Sequence, residues 1–150
     1  MYYEFEFIKA IKAIKAIRVV KAIILFKIEQ IKRLVLGEVV LGDDVSVWPQ
    51  VVIRGDMHQI TVGDRTSVQD GCILHITHAG PYNANGWPLS IGHDVTIGHS
   101  ATLHGCKIGH RVLVGMSATV MDGALVEDDV VIAAGALITP GKQLRSGFLY

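Results

Sequence analysis

The run Ile108-Gly-His-Arg-Val-Leu, Val114-Gly-Met-Ser-Ala-Thr, Val120-Met-Asp-Gly-Ala-Leu, Val126-Glu-Asp-Asp-Val-Val, Ile132-Ala-Ala-Gly-Ala-Leu, Ile138-Thr-Pro-Gly-Lys-Gln and Leu144 decides the fold. An aliphatic residue returns at every sixth position without a miss. A six-residue unit is too short for a helical repeat. It suits one short strand plus a turn, with the aliphatic side chain directed inward and Gly, Asp or Asn near the corner taking backbone angles that other residues resist. Three such units close one triangular coil. Coils stack by parallel strand pairing about 4.8 Å apart and bury a ladder of Ile, Val and Leu. An antiparallel sandwich would need turn signals roughly every 8 to 12 residues and no fixed register.

Read outward from this core, the period continues. After one five-residue step it includes Leu103, Ile97 and Ile91, then Leu74, Val68 and Val62, and it begins with Val35, Leu41, Val47 and Ile53. Residues 77–90, Thr-His-Ala-Gly-Pro-Tyr-Asn-Ala-Asn-Gly-Trp-Pro-Leu-Ser, break the register and are rich in turn residues, so they form a loop excursion. The expected fold is an all-β solenoid over residues 35–150.

The first 34 residues use another alphabet. Residues 1–36 lack Gly, Pro, Asp, Asn, Ser and Thr and carry eight Lys+Arg against three Glu. Val20, Ile24, Ile28, Ile31 and Val35 recur at spacings of three and four, which predicts an α-helix over about Ile8 to Leu34 behind a strand-like Tyr2 to Phe7. The Ile-Lys-Ala triplets through Ile8, Ile11, Ile14 and Ile17 fit a helix less well, because a three-residue repeat drifts about 60° per step. Further solenoid rungs, or a helix lying at a membrane surface, are the alternatives. The segment is expected to pack on the solenoid or on a partner.

Composition narrows the function classes. With 14 Lys+Arg against 14 Asp+Glu, no global field recruits nucleic acid. Cys72 and Cys106 are too few for a disulfide scaffold, and no secretory signal precedes them, which predicts a cytoplasmic protein with reduced thiols. The apolar run Ala22 to Phe26 lies between Lys21 and Lys27, too short for a membrane span.

Counting coils through the excursion places the hexad of Leu103 directly above that of Leu74, so His75 and His104 leave one face in the same direction. That spacing permits both imidazoles to bind one tetrahedral zinc. His99 belongs to the neighbouring face and reaches the same point only from a second copy, as in a ring of three prisms. Three imidazoles would leave one open position, the pattern of a catalytic zinc. The alternative is that these histidines cap backbone groups or are solvated, the reading given to His58, His93 and His110.

The stretches Val47-Trp-Pro-Gln-Val-Val-Ile-Arg-Gly-Asp56, Val68-Gln-Asp-Gly71, Leu74-His-Ile-Thr-His78, Gly80-Pro-Tyr-Asn83, Ile97-Gly-His99, Leu103-His-Gly-Cys106 and Val112-Leu-Val-Gly-Met116 resemble the gamma-class carbonic anhydrases, and more narrowly the bacterial carbonic anhydrase-like branch of the hexapeptide-repeat proteins. The similarity covers roughly Leu36 to Tyr150. It implies a left-handed parallel β-helix and a homotrimer with a metal at each subunit interface. The implied ligands are His75 and His104 of one chain and His99 of its neighbour. Arg54 and Asp56 are implied to form an ion pair at the interface, and Gln69 to lie beside the metal-bound water. Departures are equally specific. Where well-studied members carry glutamates for proton transfer, this region offers Met57, His58, Thr77 and His78, and Ser67 stands where the family has Asn. The family also continues in a C-terminal helix after the position of Tyr150, and residues 1–34 resemble nothing in it. This suggests an engineered rearrangement in which the opening segment covers the surface of that helix.

The resemblance implies reversible hydration of carbon dioxide to bicarbonate, with zinc lowering the pKa of its bound water towards about 7. Iron or cobalt would suit the same imidazoles. His78 is the candidate proton relay. Two other classes compete: a hexapeptide acyltransferase or thioesterase, and a trimeric scaffold with a non-catalytic metal.

Overall fold

Most hexads form a strand of two or three residues followed by a tight corner. In the computed structural model, which describes residues 33–150 together with Val20–Lys21 and Ile24–Leu25, these strands build a left-handed parallel β-helix with three faces. Two antiparallel strands, β1 (Val20–Lys21) and β2 (Ile24–Leu25), pair with β3 (Leu34–Leu41). The first face runs upward through the opening halves of β3 and β5 (Val52–Val62), then β7 (Ile73–His75), β10 (Thr102–His104), β13 (Thr119–Val120) and β16 (Leu137–Ile138). The second contains β4 (Ser46–Val47), β6 (Ser67–Val68), β9 (Thr96–Ile97), β12 (Leu113–Val114) and β15 (Val131–Ile132). The third joins the closing halves of β3 and β5 to β8 (Leu89–Ile91), β11 (Lys107–Ile108), β14 (Leu125–Val126) and β17 (Gln143–Leu144).

The periodic residues fill the interior. Ile53, Val62, Val68, Leu74, Ile91, Ile97, Leu103 and Ile108 are buried, as are all their successors to Leu144. A second inward column lies four residues on in each hexad, where Cys72, Val95, Ala101, Val112, Ala118, Ala124 and Val130 are also buried. Each fully buried Ile, Val or Leu stabilises the stack by roughly 1.5–3 kcal/mol. Thr66 occupies the same column and satisfies its hydroxyl by donating to the Gly92 carbonyl at 3.0 Å.

The corners differ from expectation. The fourth residue of most hexads takes the left-handed conformation, and at one corner these residues are Asp44, Arg65, Asp94, Arg111 and Asp129, with φ of 54° to 59°. Gly, Asp or Asn was expected there, yet arginine twice adopts angles costing about 1–2 kcal/mol. Two contacts offset that cost. The Arg65 and Arg111 amides donate to the Asp43 and His93 carbonyls of the coil below, at 2.8 and 3.1 Å. Their guanidinium groups also grip Asp94 (2.6 and 2.7 Å) and Asp129 (2.7 and 2.9 Å) on the coil above.

The expected N-terminal helix is corrected where the structure speaks. Val20, Lys21, Ile24 and Leu25 are extended and pair with Val39, Glu38, Val35 and Leu34. The edge of β3 offers unpaired backbone groups that an extended segment satisfies and a helix does not. The rest of the helix expected over residues 8–34, apart from Arg33 and Leu34, lies outside the described residues. Among the described residues there is no helix, and so none long and apolar enough to cross a membrane. The loop excursion is present, but β8 begins at Leu89, inside the stretch expected to be loop. Its two ends pair, Thr77 and Trp87 exchanging backbone hydrogen bonds of 3.0 and 2.8 Å.

Candidate metal centre

His75 and His104 end β7 and β10 and stand in register, His104 directly above His75, as the count of coils requires. Their ring centroids are 5.1 Å apart with planes at 79°. Below them in the same column is Arg54, whose backbone carbonyl lies 2.6 Å from His75 Nδ1. A carbonyl only accepts, so Nδ1 carries the proton and Nε2 the lone pair. His104 is held likewise, its Nδ1 lying 2.7 Å from Asp122 Oδ1. The hydroxyl of Thr77 donates to the same carboxylate, 3.0 Å from both oxygens.

His99 lies beyond β9 at the edge of the second face and is half exposed. Its Nδ1 is 3.2 Å from Asp70 Oδ2. The register of Val68 with Ile97 sets Gln69 and Asp70 one coil below Gly98 and His99. Gln69 therefore belongs to the corner of His99 and not to the pair of His75 and His104. His78 is exposed at the start of the excursion. Arg54 and Asp56 form an ion pair within the chain, Nη1 to Oδ2 at 2.6 Å. Partial desolvation raises the Asp56 pKa, but the Arg54 hydrogen bond and charge outweigh it and hold the carboxyl below its usual range.

His75 and His104 thus direct Nδ1 at an oxygen acceptor, the arrangement by which ligating imidazoles are oriented with Nε2 towards a metal, while the His99 ring has Asp70 close to its Nδ1 without a hydrogen bond between them. An all-imidazole set of three suits zinc, iron or cobalt. Among the described residues of one chain no three His, Cys, Asp or Glu side chains converge on one point. Cys106, close to His104 in sequence, is buried in the hydrophobic interior of the coil, and burial pushes its thiol up to about 12.

Asp122, Asp70 and Trp87 were not singled out from the sequence. The signal for Asp122 was available, since extending the coil count by one turn places it level with Gly105, next to His104; the Gly123 amide donates to the Gly105 carbonyl at 2.8 Å.

The chain belongs to the hexapeptide-repeat family. A solved structure of a hexapeptide transferase family protein from Anaplasma phagocytophilum matches it with a TM-score of 0.69 at 38% identity, covering 83% of this chain and 68% of that one. The family described as bacterial transferase hexapeptide (six repeats) matches residues 105–140, and that described as hexapeptide repeat of succinyl-transferase matches residues 88–116. Relatives include gamma carbonic anhydrases. Protein YrdA of Escherichia coli (strain K12) is 58% identical over 117 residues, 78% of this chain and 64% of that protein. Gamma carbonic anhydrase 1, mitochondrial, of Arabidopsis thaliana is 41% identical over 115 residues, 75% of this chain and 41% of that protein. The chain therefore spans less than two thirds of the length of either.

Proposed function

We propose that the chain is a gamma carbonic anhydrase-like metalloprotein that interconverts carbon dioxide and bicarbonate at sites shared between the subunits of a homotrimer. The observation that carries this reading is the stacked pair of His75 and His104, each with Nδ1 engaged by an oxygen acceptor and, among the described residues, no hydrogen bond at Nε2. His75 and His104 of one copy and His99 of the next would hold a zinc ion. When bound, zinc supplies a Lewis acid that brings the pKa of a water into the neutral range. The protein's own part is positioning. Arg54 and Asp122 fix the rings of His75 and His104, Asp70 lies beside that of His99, and the Gln69 amide, carried on the His99 side, orients the substrate or the water. His78, exposed at the loop edge, passes the proton to solvent. Assembly is favoured by apolar side chains exposed on the two faces that bear the ligands: Ile73 and Leu137 on the first, Trp48, Leu113, Met116 and Val131 on or beside the second.

The test is metal content per chain together with carbon dioxide hydration rate, for the intact protein and for His99→Ala. About one metal per chain and a measurable rate, both lost in the variant, are expected. Metal without a rate would favour a scaffold, and absence of metal would refute the site. The transferase descriptions of the matched families favour a second reading, acyl transfer by a histidine base at a subunit cleft. It needs no metal, so acyl-transfer activity that survives a chelator would select it.

A further inference from the structure

One polar chain in the site ties the loop excursion to a histidine on the solenoid. Thr77, the first residue of the excursion, donates to Asp122, and Asp122 accepts from His104 Nδ1 at 2.7 Å. Thr77 Oγ1 also approaches His104 Nδ1, at 3.4 Å. The three residues come from three different coils, so only the correct stacking joins them. The other end of the excursion is anchored at the same place. Trp87 rests on the corner formed by Gly105 and Gly123: a Cβ at Gly123 would sit 3.0 Å from Trp87 Cη2 and Cζ2, and one at Gly105 would sit 2.7 Å from Trp87 Cβ and collide with Asp122 Oδ1. The two glycines take φ of 51° and 70°. They leave just enough room for an indole on one side and a carboxylate on the other.

We infer that Asp122, clamped by Thr77 and by the seat of Trp87, is the positioning residue that fixes His104 with its proton on Nδ1 and its lone pair on Nε2. The inference deepens the proposed function, since an open Nε2 matters most if His104 binds a metal. The carboxylate is an acceptor only, whereas a free neutral imidazole exchanges its proton between both nitrogens. Thr77 restrains the carboxylate so that one oxygen stays on the ring. The excursion therefore serves the site from both of its ends, Thr77 by hydrogen bond and Trp87 by contact.

The test uses the full-length protein, freed of metal by chelation, with nitrogen NMR of the His104 ring and a zinc titration as readouts. In the wild type, His104 is expected as the single tautomer protonated at Nδ1. In Asp122→Asn both tautomers are expected, with zinc affinity weaker by roughly tenfold to a hundredfold. Thr77→Val, which leaves Asp122 in place, should move both readouts in the same direction by a smaller amount. An Asp122→Asn protein with the His104 tautomer and zinc affinity unchanged would overturn the inference. If wild-type protein takes up no zinc yet the tautomer responds to Asp122, the inference stands and the proposed function fails.

Discussion

Two histidine pairs each stack between the same adjacent coils, at different corners of this solenoid, and they differ in how one ring is used. His75 and His104 meet edge to face at 5.1 Å, and both spend Nδ1 as a donor, to the Arg54 carbonyl and the Asp122 carboxylate. His93 and His110 stack nearly parallel at 3.8 Å. In that pair His110 Nδ1 accepts the His93 backbone N–H at 3.0 Å, so the ring proton is on Nε2 and no lone pair is left over. His93 Nδ1 faces Asp94 at 2.7 Å. In the second pair His110 is spent on the backbone of the coil, whereas neither ring of the first pair has a hydrogen bond at Nε2 among the described residues. Stacking alone therefore does not make a metal site. The partner given to the other ring nitrogen decides it.

The comparison breaks most visibly at the ligands. His104→Ala should abolish zinc binding while His110→Ala leaves zinc content intact, measured by metal analysis after gel filtration. Equal loss in both would erase the distinction. Next in size is Gly105→Ala, which forces a side chain into a left-handed position and against Asp122 and Trp87. It should cost roughly 1–3 kcal/mol in urea unfolding and weaken zinc binding. His110→Ala, by removing the acceptor for the His93 amide, should cost about 0.5–1.5 kcal/mol with no change in zinc affinity.

The smallest effect is electrostatic. The hydrogen bonds and charges of Arg65, with a further hydrogen bond from His93, hold Asp94 below the usual carboxylate range, and those of Arg111 hold Asp129 there. A carboxyl whose pKa is depressed by folding contributes its stability in full above the unfolded value of about 3.9, and that contribution is lost as pH falls below it. Unfolding midpoints should therefore be level from neutral pH to about 5 and decline below about 4. Arg65→Ala should flatten part of the decline, and an unaltered profile would show that the corner column contributes nothing. Both ion pairs are exposed, so the effect is small and screened by salt.

Much of this was legible because a strict period of six carries register as well as fold. Once Leu74 and Leu103 were placed on one face, the pairing of His75 with His104 followed, and the structure has it. The N-terminal helix was misread at Val20–Lys21 and Ile24–Leu25 because spacings of three and four are a local pattern, and the pairing edge of β3 is a tertiary demand that local pattern does not encode. The left-handed arginines were missed for a similar reason: their compensation lies in Asp94 and Asp129, one coil away. Asp122 escaped notice because an aspartate in a hexad turn looks like a turn residue until the next coil is counted. Gln69 was expected beside the metal water, and its placement on the His99 side needs the register of the second face to be seen.

The most direct test of a shared site is complementation between two inactive chains. His99→Ala retains the pair on one face, and a chain carrying both His75→Ala and His104→Ala retains His99 on the other. Each alone should bind no zinc. Unfolded together and reassembled, they should regain zinc at the one interface per mixed trimer where the intact pair meets the intact His99. A mixture that stays as empty as its components, or a His99→Ala chain that binds zinc fully by itself, would contradict it.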